Sequence, residues 1–171
     1  MSTSSRTIKW IESLADQEKL IKAGEKASID IGTAKDEVLA GETVSFVHDL
    51  FYHCDYLVGL FNGRVEQPEL QLKLTRETAG QFHLHRNGMR LQVGTPQPGV
   101  VQLQCDRTMA DAVTRLQKPS MMFSGRVEAK FGTFHDVEWY FLGNRVNAEL
   151  LARHYLTEFI QVSRDSLSYP A

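Results

Sequence analysis

Two histidines two residues apart, His83 and His85, stand in the run Gln81-Phe82-His83-Leu84-His85-Arg86. Side chains alternate between faces along a strand, so both imidazoles project to one side, the arrangement by which a strand offers two nitrogens to a metal. No second histidine motif follows, and the plainer reading places both rings on a polar sheet face beside Arg90 and Gln92. A second group is His48, His53, Cys54 and Asp55. A thiol with a histidine is the pairing of nucleophilic catalysis. Cys54, however, falls on the apolar stripe of a helical pattern, and His53, one residue before it, projects elsewhere. Cys54 therefore reads as a core thiol, as does Cys105. No Gly-x-Ser-x-Gly, phosphate loop, dinucleotide fingerprint or His-Glu-x-x-His occurs in the sequence. Asp111, Asp136 and Glu138 show no acid/base pairing. These residues assign no catalytic group, no metal and no cofactor.

The remaining candidates are apolar. Met109, Met121, Met122, Phe123, Phe131, Phe134, Trp139, Tyr140, Phe141 and Leu142 crowd the final third of the chain. Soft and aromatic side chains line adaptable pockets, and they equally fill ordinary cores.

The elements that position these residues centre on a hairpin. Asn87-Gly88 lies between two alternating runs, the signal for a type I′ turn, which needs positive φ at both central residues. With that loop, Arg86 faces Met89, His85 faces Arg90, Leu84 faces Leu91, His83 faces Gln92 and Phe82 faces Val93. Apolar meets apolar and polar meets polar, so a slip of one residue would destroy the match. Flanking runs from Leu70 to Leu74 and from Val101 to Cys105 alternate in the same way, giving four strands with one apolar and one polar face. Residues 121–132 add a fifth, with Phe123, Gly125, Val127, Ala129 and Phe131 on one side.

Helical periodicity predicts helices over 7–26, 42–61, about 109–117 and 144–163. Residues 28–41 are ambiguous, and 134–142 fits strand or helix, with Val137, Tyr140 and Phe141 favouring helix. Asn62-Gly63 is the stop signal for the second helix. The domain reading is a helical extension over 1–41 and an α+β domain over 42–171, its five-stranded, mainly antiparallel sheet covered on one face by helices.

The chain has 171 residues, is 42% hydrophobic and 23% charged, and carries a formal net charge of −2. No charge excess points to nucleic acid, and no apolar run approaches the roughly 18 residues of a membrane span. The first residues lack a secretory segment, and two thiols on apolar phases fit the cytoplasm.

The order of residues from Leu70 to Gly132 resembles the sterol carrier protein 2 superfamily. The resemblance rests on Val100-Val101-Gln102-Leu103-Gln104-Cys105, Met109-Ala110-Asp111-Ala112-Val113 and Met122-Phe123-Ser124-Gly125-Arg126-Val127, about the middle half of the chain. The insertion from Thr133 to Asn144 and the first 40 residues depart from the family's pattern. The resemblance implies non-catalytic binding of a lipid or other hydrophobic small molecule between sheet and helices. On that reading Phe123, Val127, Phe131, Trp139 and Leu142 form the apolar wall. Two rivals stand beside it. One is an enzyme or accessory protein acting on a small organic or aromatic acid, with His135, Asp136 and Arg153 as polar candidates. The other is a homodimeric interaction module using Gln71, Lys73, His83, His85, Arg90, Gln92, Gln102 and Gln104.

Overall fold

The computed structural model describes residues 4–22, 31–108, 120–134 and 136–165. It divides the chain into two units, Met1–Glu37 and Val38–Ala171. In the first, helix α1 spans Ser5–Lys22. Ser4 caps it, its Oγ accepting the Thr7 backbone N–H at 3.3 Å. Ile8, Trp10, Ile11 and Leu14 are exposed.

Helix α2, Ile31–Arg64, runs from the first unit into the second. A short 3-10 turn, Pro68–Leu70, leads from it into a sheet of seven strands. These are β1 (Lys73–Thr78), β2 (Gln81–Arg86), β3 (Met89–Gln97), β4 (Val100–Arg107), β5 (Ser120–Phe131), β6 (Val137–Phe141) and β7 (Asn144–Val146), and helix α3 (Ala148–Asp165) follows. Each strand pairs antiparallel with the next, so the sheet is a meander in sequence order. The β2–β3 register is the one the sequence predicts: Phe82–Val93, His83–Gln92, Leu84–Leu91, His85–Arg90 and Arg86–Met89. Asn87 and Gly88 take φ of 52° and 71°, as a type I′ turn requires.

The five-stranded sheet expected above is corrected to seven strands. Residues 137–141 form β6, not a helix, and 144–146 form β7 where the final helix was expected to begin. Five residues, Val-Glu-Trp-Tyr-Phe, are too few to distinguish the two periods. What decides is pairing: Trp139 sits opposite Ala129 and continues the apolar face, while Tyr140 faces Glu128 on the polar one. The helix expected over 109–117 lies outside the described residues.

Alternation places Phe82, Leu84, Met89, Leu91, Val93, Val101, Leu103, Cys105, Val127 and Trp139 in one buried layer. Val47, Leu50, Cys54 and Val58 of α2, and Leu151, Ala152, Tyr155, Leu156 and Phe159 of α3, pack on it. Each large side chain so buried contributes about 1.5–3 kcal/mol.

Polar ties fix the helices to the sheet. Asn62, at the end of α2, clamps Leu72 at both backbone groups: its Nδ2 donates to the Leu72 carbonyl at 2.9 Å and its Oδ1 accepts the Leu72 N–H at 2.8 Å. Thr43 Oγ1 accepts the Gly99 N–H at 2.7 Å, pinning the β3–β4 turn to α2. Asn147 Oδ1 accepts the Leu150 N–H at 2.8 Å and starts α3. At its other end Arg86, 8% exposed, donates from Nη1 to the Ile160 carbonyl and to Ser163 Oγ, each at 3.2 Å. Its guanidinium also lies 5.5 Å from the centre of the Phe61 ring.

Candidate functional site

The helix-covered side holds the residues expected to form an apolar wall. Val127 is fully buried, and Trp139 is buried with its ring stacked on Phe46 at 4.4 Å between centroids. Phe123 is half-buried and stacks on Tyr155 at 6.0 Å. Phe131 is half-buried at the end of β5. Leu142 is not with them: it is 81% exposed and occupies the β6–β7 turn with φ of 50°. A Cβ on Gly125 would collide with Tyr155 Oη, so at that position the ring is seated directly on the strand. In the apolar layer the helices thus meet the sheet through packed side chains and, at Gly125, through a ring set on the strand itself.

The thiols belong to the same layer. Cys54 and Cys105 are free and buried. Burial, with Asp55 and Asp106 adding, pushes both pKa values up to about 12, so neither supplies a thiolate near neutral pH. His135, a candidate of the enzymatic reading, lies outside the described residues. Asp136 caps a local turn, its carbonyl accepting the Gly132 N–H at 2.7 Å, and Arg153 is exposed on α3. The structure does not bring the described members of this set into one cluster.

The opposite face carries the polar residues. His83 and His85 lie side by side with centroids 4.6 Å apart. A bulge in β1 between Arg76 and Thr78 brings Glu77 to them, with Oε1 3.0 Å from His83 Nδ1 and 3.4 Å from Arg90 Nη2. The His83 contact is an ion-pair distance without hydrogen-bond alignment. Burial lowers the pKa of His85, and His83, Arg90 and Lys73 lower it further, so its imidazole is neutral at pH 7. Among the described residues, no group of three His, Cys, Asp or Glu side chains is placed to hold a metal.

Beside this cluster lies a concavity of about 220 Å³ lined by Gln81, Gln92, Gly94, Thr95, Pro96, Gln102 and Gln104. Its floor is set by the sheet register: Gln92 faces Gln104, and Gly94 faces Gln102. Gly94 has no side chain to fill the space, and the register shift after it turns Thr95 and Pro96 to the rim. Gln104 Nε2 donates to Asp106 at 3.0 and 3.1 Å. Among the described residues the amides of Gln81, Gln92 and Gln102 make no side-chain hydrogen bond. Gln71, expected on this face, instead donates to the Val65 carbonyl at the end of α2.

Strand alternation predicts that Gln92, Gln102 and Gln104 share this face. The parts played by Glu77, Thr95 and Pro96 were missed, because each depends on a bulge or register shift that leaves no mark in the residue pattern. Among the described residues no helix is long and apolar enough to cross a membrane. Comparison of the chain with protein-family models, with curated proteins and with solved structures finds no match.

Proposed function

We propose that the chain is a non-catalytic binding module whose ligand lies on the open sheet face above Gly94. The observation that carries this reading is the set of three uncommitted amides, Gln81, Gln92 and Gln102, converging on one concavity. A carboxamide offers two donors and an acceptor without charge, and a group left free beside a recess favours a ligand that pairs with it. No charged residue lines the recess itself; Arg90 and Asp106 pair two residues along the strands from Gln92 and Gln104, and Arg126 pairs with Gln102. The chemistry suits an uncharged ligand rich in amide or hydroxyl groups. The lipid-carrier reading rests on the family resemblance and needs room between sheet and helices; it forms the competing arm of the test.

The test is a titration of the isotope-labelled full chain, followed through backbone and glutamine side-chain amide resonances. The probes are maltose, an N-acetylated glycine amide and oleate. Shifts of Gln81, Gln92 and Gln102 amides with either neutral probe, lost in Gln92→Ala, support the reading. Shifts confined to the buried layer with oleate return the protein to lipid carriage. Silence of the sheet face toward both neutral probes at millimolar concentration overturns the reading.

A further inference from the structure

Helix α2 carries a second apolar face that the fold does not use. Its inner residues Val47, Leu50, Cys54 and Val58 are buried in the core. On its outer side Tyr52 is 64% exposed, Tyr56 61% and Leu60 54%. A helix with one buried face ordinarily carries charge on the other, and one that is apolar all round is ordinarily covered all round. The outer line reads Tyr52, Tyr56, Gly59, Gly63, at intervals of four, three and four. These intervals keep one helix face and read the same in both directions. Laying a second copy of the helix antiparallel on the first sets Tyr52 opposite Gly63 and Tyr56 opposite Gly59, and does so twice. Among the described residues, and apart from the helix's own adjoining backbone, no atom lies within 4 Å of where a Cβ would stand on Gly59 or Gly63, so the space over each glycine can take a ring. Large then meets small at each facing position, as interdigitated packing requires. One patch serves both partners, which is the condition for an isologous twofold contact.

We infer that α2 pairs antiparallel with α2 of a second copy of this chain, about a twofold axis at the level of Leu57 and Val58. The size of the patch fits that partner. Four tyrosines at these exposures bring roughly 500 Å² into the contact. The paired backbones and Leu60 raise the total toward about 1,000 Å², the lower bound for a specific interface. The line from Tyr52 to Gly63 itself carries no charge; the exposed Asp55, one turn from both Tyr52 and Gly59, borders it. At the rim Asp49, one turn before Tyr52, and Arg64, next to Gly63, come to similar levels with opposite sign. Such an interface makes a reversible dimer with a dissociation constant on the order of micromolar.

Sedimentation velocity of the full chain across the micromolar range tests the pairing, and a monomer–dimer equilibrium is expected. Gly59→Gln separates pairing from folding. Glutamine is a better helix former than glycine and meets open space in the monomer. The melting midpoint of dilute protein should therefore hold or rise, while the dimer dissociation constant rises about 10-fold or more as the hole for Tyr56 is filled. Gly63→Gln should act the same way at the other end of the contact, and Tyr56→Ser should weaken the dimer from the opposite side. If circular dichroism shows one variant misfolded, the other two carry the measurement. A chain that stays monomeric throughout overturns the inference. So does a dimer whose dissociation constant is unmoved by the folded variants, since another face then forms it.

Discussion

The two faces of the sheet are built from alternate residues of the same strands, yet they obey different rules. On the helix side each position is filled by a neighbour: Trp139 by Phe46, Phe82 by Phe51, Gly125 by Tyr155. On the other side Gln81, Gln92 and Gln102 surround a recess, and the charges pair locally, as with Arg126 and Glu128 at 2.6 Å or Arg145 and Glu138 at 3.1 Å. Stability is therefore concentrated on one face, and freedom to bind on the other. The largest test of that division is Gly125→Val. The new side chain would displace Tyr155 from its seat on β5, and overpacking of a close-packed layer costs typically 1–3 kcal/mol. Because the first atom added already collides, a loss of about 3 kcal/mol or more is expected in denaturant unfolding. A variant as stable as the parent would mean that α3 is free to move off the sheet.

Val127→Phe asks whether the closed face conceals ligand space. Val127 is fully buried, facing Val101 on one side and Phe141 on the other. In close-packed surroundings the larger ring costs about 1–3 kcal/mol and lowers the melting midpoint. In a lipid cavity it would add contact, hold or raise the midpoint, and weaken displacement of a fluorescent fatty acid. The expected result is a lower midpoint.

The closed face should also respond to alkali. A thiol held at about 12 in the folded chain stays protonated while the unfolded chain, with its ordinary value of 9.0, ionises. The stabilising contribution is thus complete below pH 9 and is lost as pH rises from 9 toward 12. The slope approaches about 1.4 kcal/mol per pH unit for each thiol. Tyr155, also pushed up to about 12 by burial, adds to the fall above pH 10. Denaturant melts from pH 8 to pH 10.5 measure the slope, and replacing both cysteines with alanine should flatten it between pH 9 and 10.

How much of the fold shows in the sequence is clearest at two turns of similar conformation. Asn87-Gly88 and Leu142-Gly143 both have positive φ at two successive residues. The first is written in residues that favour that geometry, and the register followed from it pair by pair. The second begins with a leucine, which carries no turn signal, so β6 and β7 are not legible in the sequence and Leu142 reads there as a wall residue. The same holds for the candidate site: the glutamines follow from alternation, whereas the recess depends on the shift after Gly94. Leu142→Asn should remove a left-handed penalty from a side chain that is already exposed, and stabilise the protein by about 1 kcal/mol. No gain would mean that the leucine makes a contact that offsets its strain.

The smallest effect expected is the most exacting test of the open face. Arg90 lies on the strand that also carries Leu91, a core residue, yet among the described residues its side chain pairs with Glu77 alone, at 3.4 Å. Glu77 also approaches His83, at 3.0 Å, so it does not depend on that guanidinium alone. Exposed ion pairs are worth about 0–1 kcal/mol, and here the loss is offset by removal of an Nε that has no hydrogen-bond partner. Arg90→Ala should therefore change stability by no more than about 0.5 kcal/mol. Its neighbour Leu91→Ala, one residue along and on the other face, should cost about 2–5 kcal/mol. If instead the two losses are similar, the polar face is bearing structural load through Arg90, and the division of labour between the faces fails at the residue where the register is best defined.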